Sequence, residues 1–239
     1  DVHWSMFASK KPNFSTLFLN AGAHIQHHYF FNAAPLKNES PNKNPNWYVQ
    51  SEEDPLGDAL KLYDLIVGEY FSITDAEVVL ATGLSQKPYG QTEFYYRLRT
   101  HEKFLRKINL DFERVFPRMT RDFLVEFSNE KQAQEAHALM ASIQVIGENL
   151  PLFGEIDNRG SSLFVTLTYP NEITAETRCT VNEKSFNLIS EVSFVAIKNG
   201  MHQAEGFAFF TPGVAAYAPS EQSHVSQNGN MIKRYFNLF

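Results

Sequence analysis

Thr16-Leu17-Phe18-Leu19-Asn20-Ala21-Gly22-Ala23 is the stretch on which the fold turns. Its first four residues form a short apolar run and the next four turn the chain, so the segment reads as a buried strand feeding a tight turn and a helix. Working outward, Asn32 to Asn46 is rich in Asn, Pro and Lys and reads as loop. From Asp54 the period becomes helical, with Asp54 as N-cap, Pro55 at the first helical position, and Leu56, Ala59, Leu60, Tyr63, Ile66, Val67 and Tyr70 on one face. A second apolar run, Val78-Val79-Leu80-Ala81, follows and ends at Thr82-Gly83. Strand, helix and strand in that order predict a right-handed parallel crossover unit. The expected fold is therefore α/β, a mostly parallel sheet covered by helices.

The middle of the chain has a different texture. Asp122 to Phe127 reads as a strand, Glu130 to Ile143 as a helix capped by Ser128 or Asn129, and Ser162 to Thr168 as a strand after the turn Asp157-Asn158-Arg159-Gly160. This predicts a small, cap-like α+β insertion over residues 119–171, between a first part of the α/β core at 1–118 and a second part with a C-terminal tail at 172–239. In that second part Phe186 to Ile197 reads as strand, Lys198 to Gly206 as loop, and Phe207 to Phe210 as a short apolar strand closed by Pro212-Gly213. Tyr235, Phe236, Leu238 and Phe239 end the tail and are expected to dock on the body.

Composition narrows the function. The 239 residues are 43% hydrophobic and 20% charged, enough to bury a core. Lys and Arg total 21 against 27 for Asp and Glu, a formal charge of -6, which argues against binding a nucleic acid duplex by broad phosphate neutralisation. One cysteine, Cys179, rules out an intrachain disulfide and a thiolate zinc knuckle. No apolar run approaches the roughly 18 residues needed to span a bilayer, so no membrane span is expected. The first methionine is Met6, as expected of a processed or truncated piece of a longer protein.

The densest group of chemically able residues is Asn20-Ala21-Gly22-Ala23-His24-Ile25-Gln26-His27-His28, directly after the first expected strand. In open α/β sheets ligands sit beyond the carboxyl ends of strands, where these imidazoles would fall. On a helix His24 and His28 are four residues apart and share a face, a spacing that two metal ligands can use; the rival reading is histidines hydrogen-bonded to backbone or half exposed. Position 25 is Ile, which excludes the His-Glu-x-x-His metalloprotease motif. His202 lies between Gly200 and Gly206, and glycine there permits sharp turns and close backbone approach. His3, His101, His137 and His224 have no polar company at useful spacing. The phosphate-cradling Gly-x-x-x-x-Gly-Lys, Gly-x-Gly-x-x-Gly and the Gly-x-Ser-x-Gly elbow are all absent from the sequence.

Taken together, Ser15 to His24, the crossover helix, Glu77-Val78-Val79-Leu80-Ala81-Thr82-Gly83-Leu84, and Gly200-Met201-His202 followed by Glu205-Gly206-Phe207 resemble the second half of the alkaline-phosphatase-like hydrolases, in their nucleotide pyrophosphatase and phosphodiesterase branch. The resemblance implies a doubly wound sheet, a dinuclear metal centre, commonly zinc, and a Ser or Thr nucleophile. His24 falls on the histidine of the family's Asp-x-x-x-His, His202 on its Gly-x-His ligand, and Asn20 stands where it has the metal-binding Asp. The expected metal ligands are thus His24, His202, Asn20 and His28, and the expected substrate contacts are Thr82 and His27. Thr82 and Gly83 occupy the place of the family's Asp-His pair, so the second metal loses both ligands there; its other Asp and the nucleophile belong to an N-terminal half. Exchanging Asp for Asn also weakens the hold on a divalent cation. The implied function is metal-dependent hydrolysis of a small phosphoester or carbohydrate-linked substrate by a partial or degenerate domain. The alternative is a non-catalytic relative that binds a carbohydrate, nucleotide or protein partner.

Overall fold

A computed structural model of the chain describes residues 2–73, 75–182 and 184–238. Along the sequence these form α1 (Val2–Lys10), α2 (Ala21–Tyr29), a 3-10 turn (Phe30–Asn32), α3 (Pro55–Ile73), β1 (Val79–Ala81), β2 (Ser85–Leu98), α4 (His101–Lys107), β3 (Arg114–Pro117), β4 (Asp122–Glu126), α5 (Glu130–Ala141), β5 (Gln144–Val145), β6 (Leu150–Pro151), β7 (Glu155–Asn158), β8 (Ser162–Thr166), β9 (Arg178–Val181), β10 (Lys184–Asn187), β11 (Val192–Gln203), β12 (Ala208–Phe210), α6 (Pro212–Ala215) and α7 (Gln227–Tyr235). The chain divides into two compact units, residues 1–88 with 200–239 (unit 1) and residues 89–199 (unit 2).

The expected parallel sheet is not there. The sheets among the described residues are small and entirely antiparallel. Residues 16–19 are not a strand but exposed coil, and β1 pairs with β12 in antiparallel register, Val79 opposite Phe210 and Ala81 opposite Ala208. An apolar run states that a segment wants burial; it states neither partner nor direction. Order along the chain suggested a crossover to residues 16–19, whereas Thr82 pairs with Phe207 by both backbone and side chain, extending the β1–β12 ribbon.

In unit 1 the longest helix forms where the sequence places it. Asp54 Oδ1 accepts the Gly57 N–H at 2.8 Å, satisfying one orphan donor of the first turn, and Pro55 starts α3. Leu56 and Ala59 are buried, while Leu60, Leu62 and Leu65 of the same helix are exposed. Helix α2 lies against α3 with no room to spare: the Gly22 N–H donates to the Tyr63 hydroxyl at 2.6 Å, and a Cβ on Gly22 would stand 2.9 Å from the Tyr63 ring. The tail docks in part, with Tyr235 5.5 Å from Tyr217 and Phe236 6.1 Å from Phe14 between ring centroids. Leu238 stays exposed, and Phe239 lies outside the described residues.

Unit 2 has a sheet ordered β3-β4-β8-β7 and a second ordered β10-β9-β5-β6. Alternation decides which side chains go inward: Phe123 and Val125 of β4 and Leu163 and Val165 of β8 are fully buried and alternate with half-buried residues, until Thr166 at the end of β8 is buried as well. Helix α5 contacts β7 and β8 and buries Ala133, Ala136 and Met140. Asn129 is its N-cap, accepting the Gln132 N–H at 3.0 Å, while the Gln132 side chain reaches back to the Ser128 N–H. Phe153 packs edge-to-face on Phe104 and Phe123 at 5.9 and 5.8 Å, joining α4 to β4. Strand β11 runs on to Gln203, so much of the stretch expected as a loop from Lys198 is strand.

Candidate functional site

The histidines of α2 and the end of β11 meet within unit 1. Helical spacing sets His24 and His28 on one face, and their ring centroids are 4.6 Å apart. His27, one residue earlier than His28, faces the strand: its ring lies 4.7 Å from that of His202 and 6.4 Å from that of His28. Its Nδ1 is 3.2 Å from the Gly200 carbonyl oxygen. A carbonyl only accepts, so Nδ1 carries the proton and the lone pair of the neutral ring is on Nε2, as in histidines positioned for ligation. His24 and His202 are exposed and His27 and His28 half-buried, so the cluster is open on one side.

Close approach of strand and helix depends on a missing side chain. A Cβ on Gly200 would lie 2.6 Å from the Gln26 carbonyl oxygen and 2.4 Å from Gln86 Oε1. Only glycine lets the strand pass here and bring His202 to His27. Gln86 ties β2 to the same helix, its Nε2 donating to the Ala23 carbonyl at 2.9 Å, and its Oε1 is buried without a hydrogen-bond partner. An orphaned buried acceptor is unusual and points to an absent donor or ion. Nothing in the sequence marks Gln86, which lies in a polar stretch with no motif.

The other expected site residues are placed differently. Asn20 is the N-cap of α2 in αR conformation; its carbonyl accepts the His24 N–H at 3.2 Å and its side chain makes no capping bond. The Thr82 hydroxyl accepts the Phe207 N–H at 2.9 Å and serves the β1–β12 ribbon. His202, expected to share a metal with His24, has its ring contact with His27. Of the remaining histidines, His3 bonds Ser15 and Tyr70 and His224 bonds Ser226, so these two do have polar company, while His101 is buried against Phe123, 4.9 Å between centroids. Burial pushes His101 down to about 4, with the charge of Arg97 adding to the effect.

Among the described residues no three of His, Cys, Asp and Glu come together as a group that could hold a metal ion. Catalytic zinc sites take three protein ligands and leave one position open. The imidazoles form two pairs, so the donor set fits half of such a centre. Burial raises the Cys179 thiol to about 12, which removes it as a nucleophile or thiolate ligand. In comparisons with known proteins, no family model, no curated protein and no solved structure matched the chain.

Proposed function

We propose that the imidazole cluster is this chain's share of a phosphoester-handling centre, completed by groups outside these residues. The observation that carries the reading is the meeting of His27 and His202, drawn from segments more than 170 residues apart and fixed by the Nδ1–H bond to Gly200, whose sequence separation from His27 is 173. A hydrogen bond from Nδ1 to a backbone carbonyl orients the ring and makes Nε2 more basic. His24 and His28 supply a second pair one helical turn away, and Gln86 Oε1 a buried acceptor. When bound, a zinc-like cation supplies Lewis acidity toward a phosphoryl oxygen. The chain's own part is to hold two imidazoles at a fixed separation and leave the outer face open for a small phosphoester.

Among the described residues the cluster holds no hydroxyl or thiol, and the Thr82 hydroxyl accepts the Phe207 N–H at the ribbon. The chain alone is therefore expected to bind zinc weakly, as a two-ligand site, and not to turn over bis(p-nitrophenyl) phosphate. Calorimetric titration with zinc should show that binding, and His27→Ala and His202→Ala should each abolish it with no loss of thermal stability in chelator. Zinc binding left unchanged by both substitutions would overturn the reading.

A further inference from the structure

Outside the imidazole cluster, α1 sets another histidine between two hydroxyl groups. His3 Nε2 is 2.8 Å from Ser15 Oγ, and His3 Nδ1 is hydrogen-bonded to the Tyr70 hydroxyl. The three residues come from separate segments of unit 1: the first turn of α1, the exposed coil after it, and the last turn of α3, with His3 and Tyr70 67 positions apart. Aromatic packing fixes the imidazole there. Its centroid is 5.6 Å from that of Tyr70 and 6.3 Å from that of Phe7, and Trp4 meets Tyr70 edge-on at 5.7 Å. Phe14 packs edge-to-face on Phe236 at 6.1 Å, which anchors the coil one residue before the serine.

A hydroxyl within about 2.6–3.2 Å of a base, with the base oriented by a third group, is the arrangement of an activated nucleophile. One proton sits on a neutral imidazole. When Nδ1 carries it, that N–H donates to the Tyr70 oxygen and the Nε2 lone pair faces the Ser15 hydroxyl. A phenol oxygen accepts as readily as it donates, so this tautomer is reached with no heavy atom moving. Burial first, then the charge of Glu69, holds the Tyr70 hydroxyl above its ordinary value, so it stays a phenol. The N–H groups of Ser15 and Thr16 donate to nothing among the described residues. In serine hydrolases of unrelated folds, the N–H of the nucleophile or of the residue after it stabilises the oxyanion.

We propose that Ser15, His3 and Tyr70 form a serine-hydrolase centre for carboxylic esters with an apolar acyl or alcohol part, which the rings of Trp4, Phe7 and Phe14 would contact. Ser15 Oγ attacks the ester carbonyl carbon while His3 Nε2 takes the hydroxyl proton. The adduct then breaks its bond to the alcohol oxygen, and the alcohol leaves with the proton from Nε2. Water attacks the acyl-serine and gives a proton to Nε2; the acid departs as that proton returns to Ser15 Oγ. Tyr70 is a positioning residue, holding the ring through Nδ1. The centre needs neither the four clustered imidazoles nor zinc, so it stands or falls apart from the reading above.

The test treats the full chain, in chelator, with a fluorophosphonate, whose phosphorus an activated serine attacks with loss of fluoride, and locates the adduct by mass spectrometry. Ser15 should be modified at least ~100-fold faster than Ser5, which is equally exposed but has no histidine hydrogen-bonded to its hydroxyl among the described residues. His3→Gln should bring Ser15 down to the rate of Ser5. Tyr70→Phe keeps the ring packing and should slow Ser15 while leaving Ser5 unchanged. Turnover of p-nitrophenyl butyrate should be lost in Ser15→Ala, a change in exposed coil that leaves the thermal midpoint where it was. Equal rates at Ser15 and Ser5, a Ser15 rate that survives His3→Gln or Tyr70→Phe, or turnover undiminished in Ser15→Ala would each overturn the proposal.

Discussion

Unit 2 holds 28 of the 35 buried hydrophobic residues among those described and only three of the exposed large ones; unit 1 holds seven and 19. The two are of similar length, so the contrast lies in how their apolar residues are arranged. In unit 2 the strands alternate, one face inward and one outward, and a helix covers the inward face; such a layer closes on itself. In unit 1 the apolar runs are continuous and the long helix is apolar on opposite sides. A helix or strand of that kind keeps one side uncovered when a single layer packs on it, as Leu62 and Leu65 of α3 are exposed while Leu56 and Ala59 are buried.

The largest expected effect tests that contrast directly. Phe123 is fully buried in unit 2, within 6 Å of the rings of both Phe153 and His101, whereas Phe18 of unit 1 is 85% exposed. Phe123→Ala should cost ~3–5 kcal/mol in urea denaturation, from lost burial and the cavity left behind. Phe18→Ala should change stability by less than ~0.5 kcal/mol. Comparable losses in the two variants would erase the distinction between the units.

A smaller effect belongs to pH. His101, buried beside Phe123 in unit 2, is held down to about 4 from its ordinary 6.5 because burial disfavours the charged ring. The unfolded chain therefore takes up a proton as pH falls through 6.5, and the folded chain does so only near pH 4. Across that window the unfolded state binds more protons, so stability falls on acidification, by on the order of 3 kcal/mol in all, and levels off below pH 4. Urea midpoints of unit 2 measured from pH 7 to 4 should show the decline, and His101→Gln should flatten it. A His101→Gln profile as steep as that of the parent chain would show that other groups carry the dependence.

How much of this could be read beforehand follows the same division. In unit 2 the expected strands at 122 and 162 and the helix at 130 all form, because local alternation and a cap residue decide them. In unit 1 the helix start at Asp54 and Pro55 was equally legible. The direction and partners of the apolar runs were not, since the choice between residues 16–19 and 207–210 as neighbours of β1 depends on contacts distant in sequence. The site divides likewise. The pairing of His24 with His28 is a property of helical spacing, whereas that of His27 with His202 depends on β11 continuing through Gly200, where the sequence Lys198-Asn199-Gly200 read as loop. A glycine can signal a turn or a place where two backbones nearly touch, and here it is the second.

The smallest effect separates two asparagines that look alike in sequence. Each precedes a helix, Asn129 that of α5 in unit 2 and Asn20 that of α2 in unit 1. Asn129 is extended, as a capping residue should be, and its side chain accepts the Gln132 N–H at 3.0 Å; Asn20 is already helical and its side chain accepts nothing from the first turn. Asn129→Ala should therefore cost ~1 kcal/mol, the usual value of a lost N-cap. Asn20→Ala should cost no more than a few tenths, since it removes no such bond. Thermal and urea unfolding of the two variants read the difference. A loss of ~1 kcal/mol in Asn20→Ala would mean that its amide holds a partner after all. A loss of zinc binding with unchanged stability would instead make Asn20 a working member of the imidazole cluster, held in place for a ligand and not for the helix.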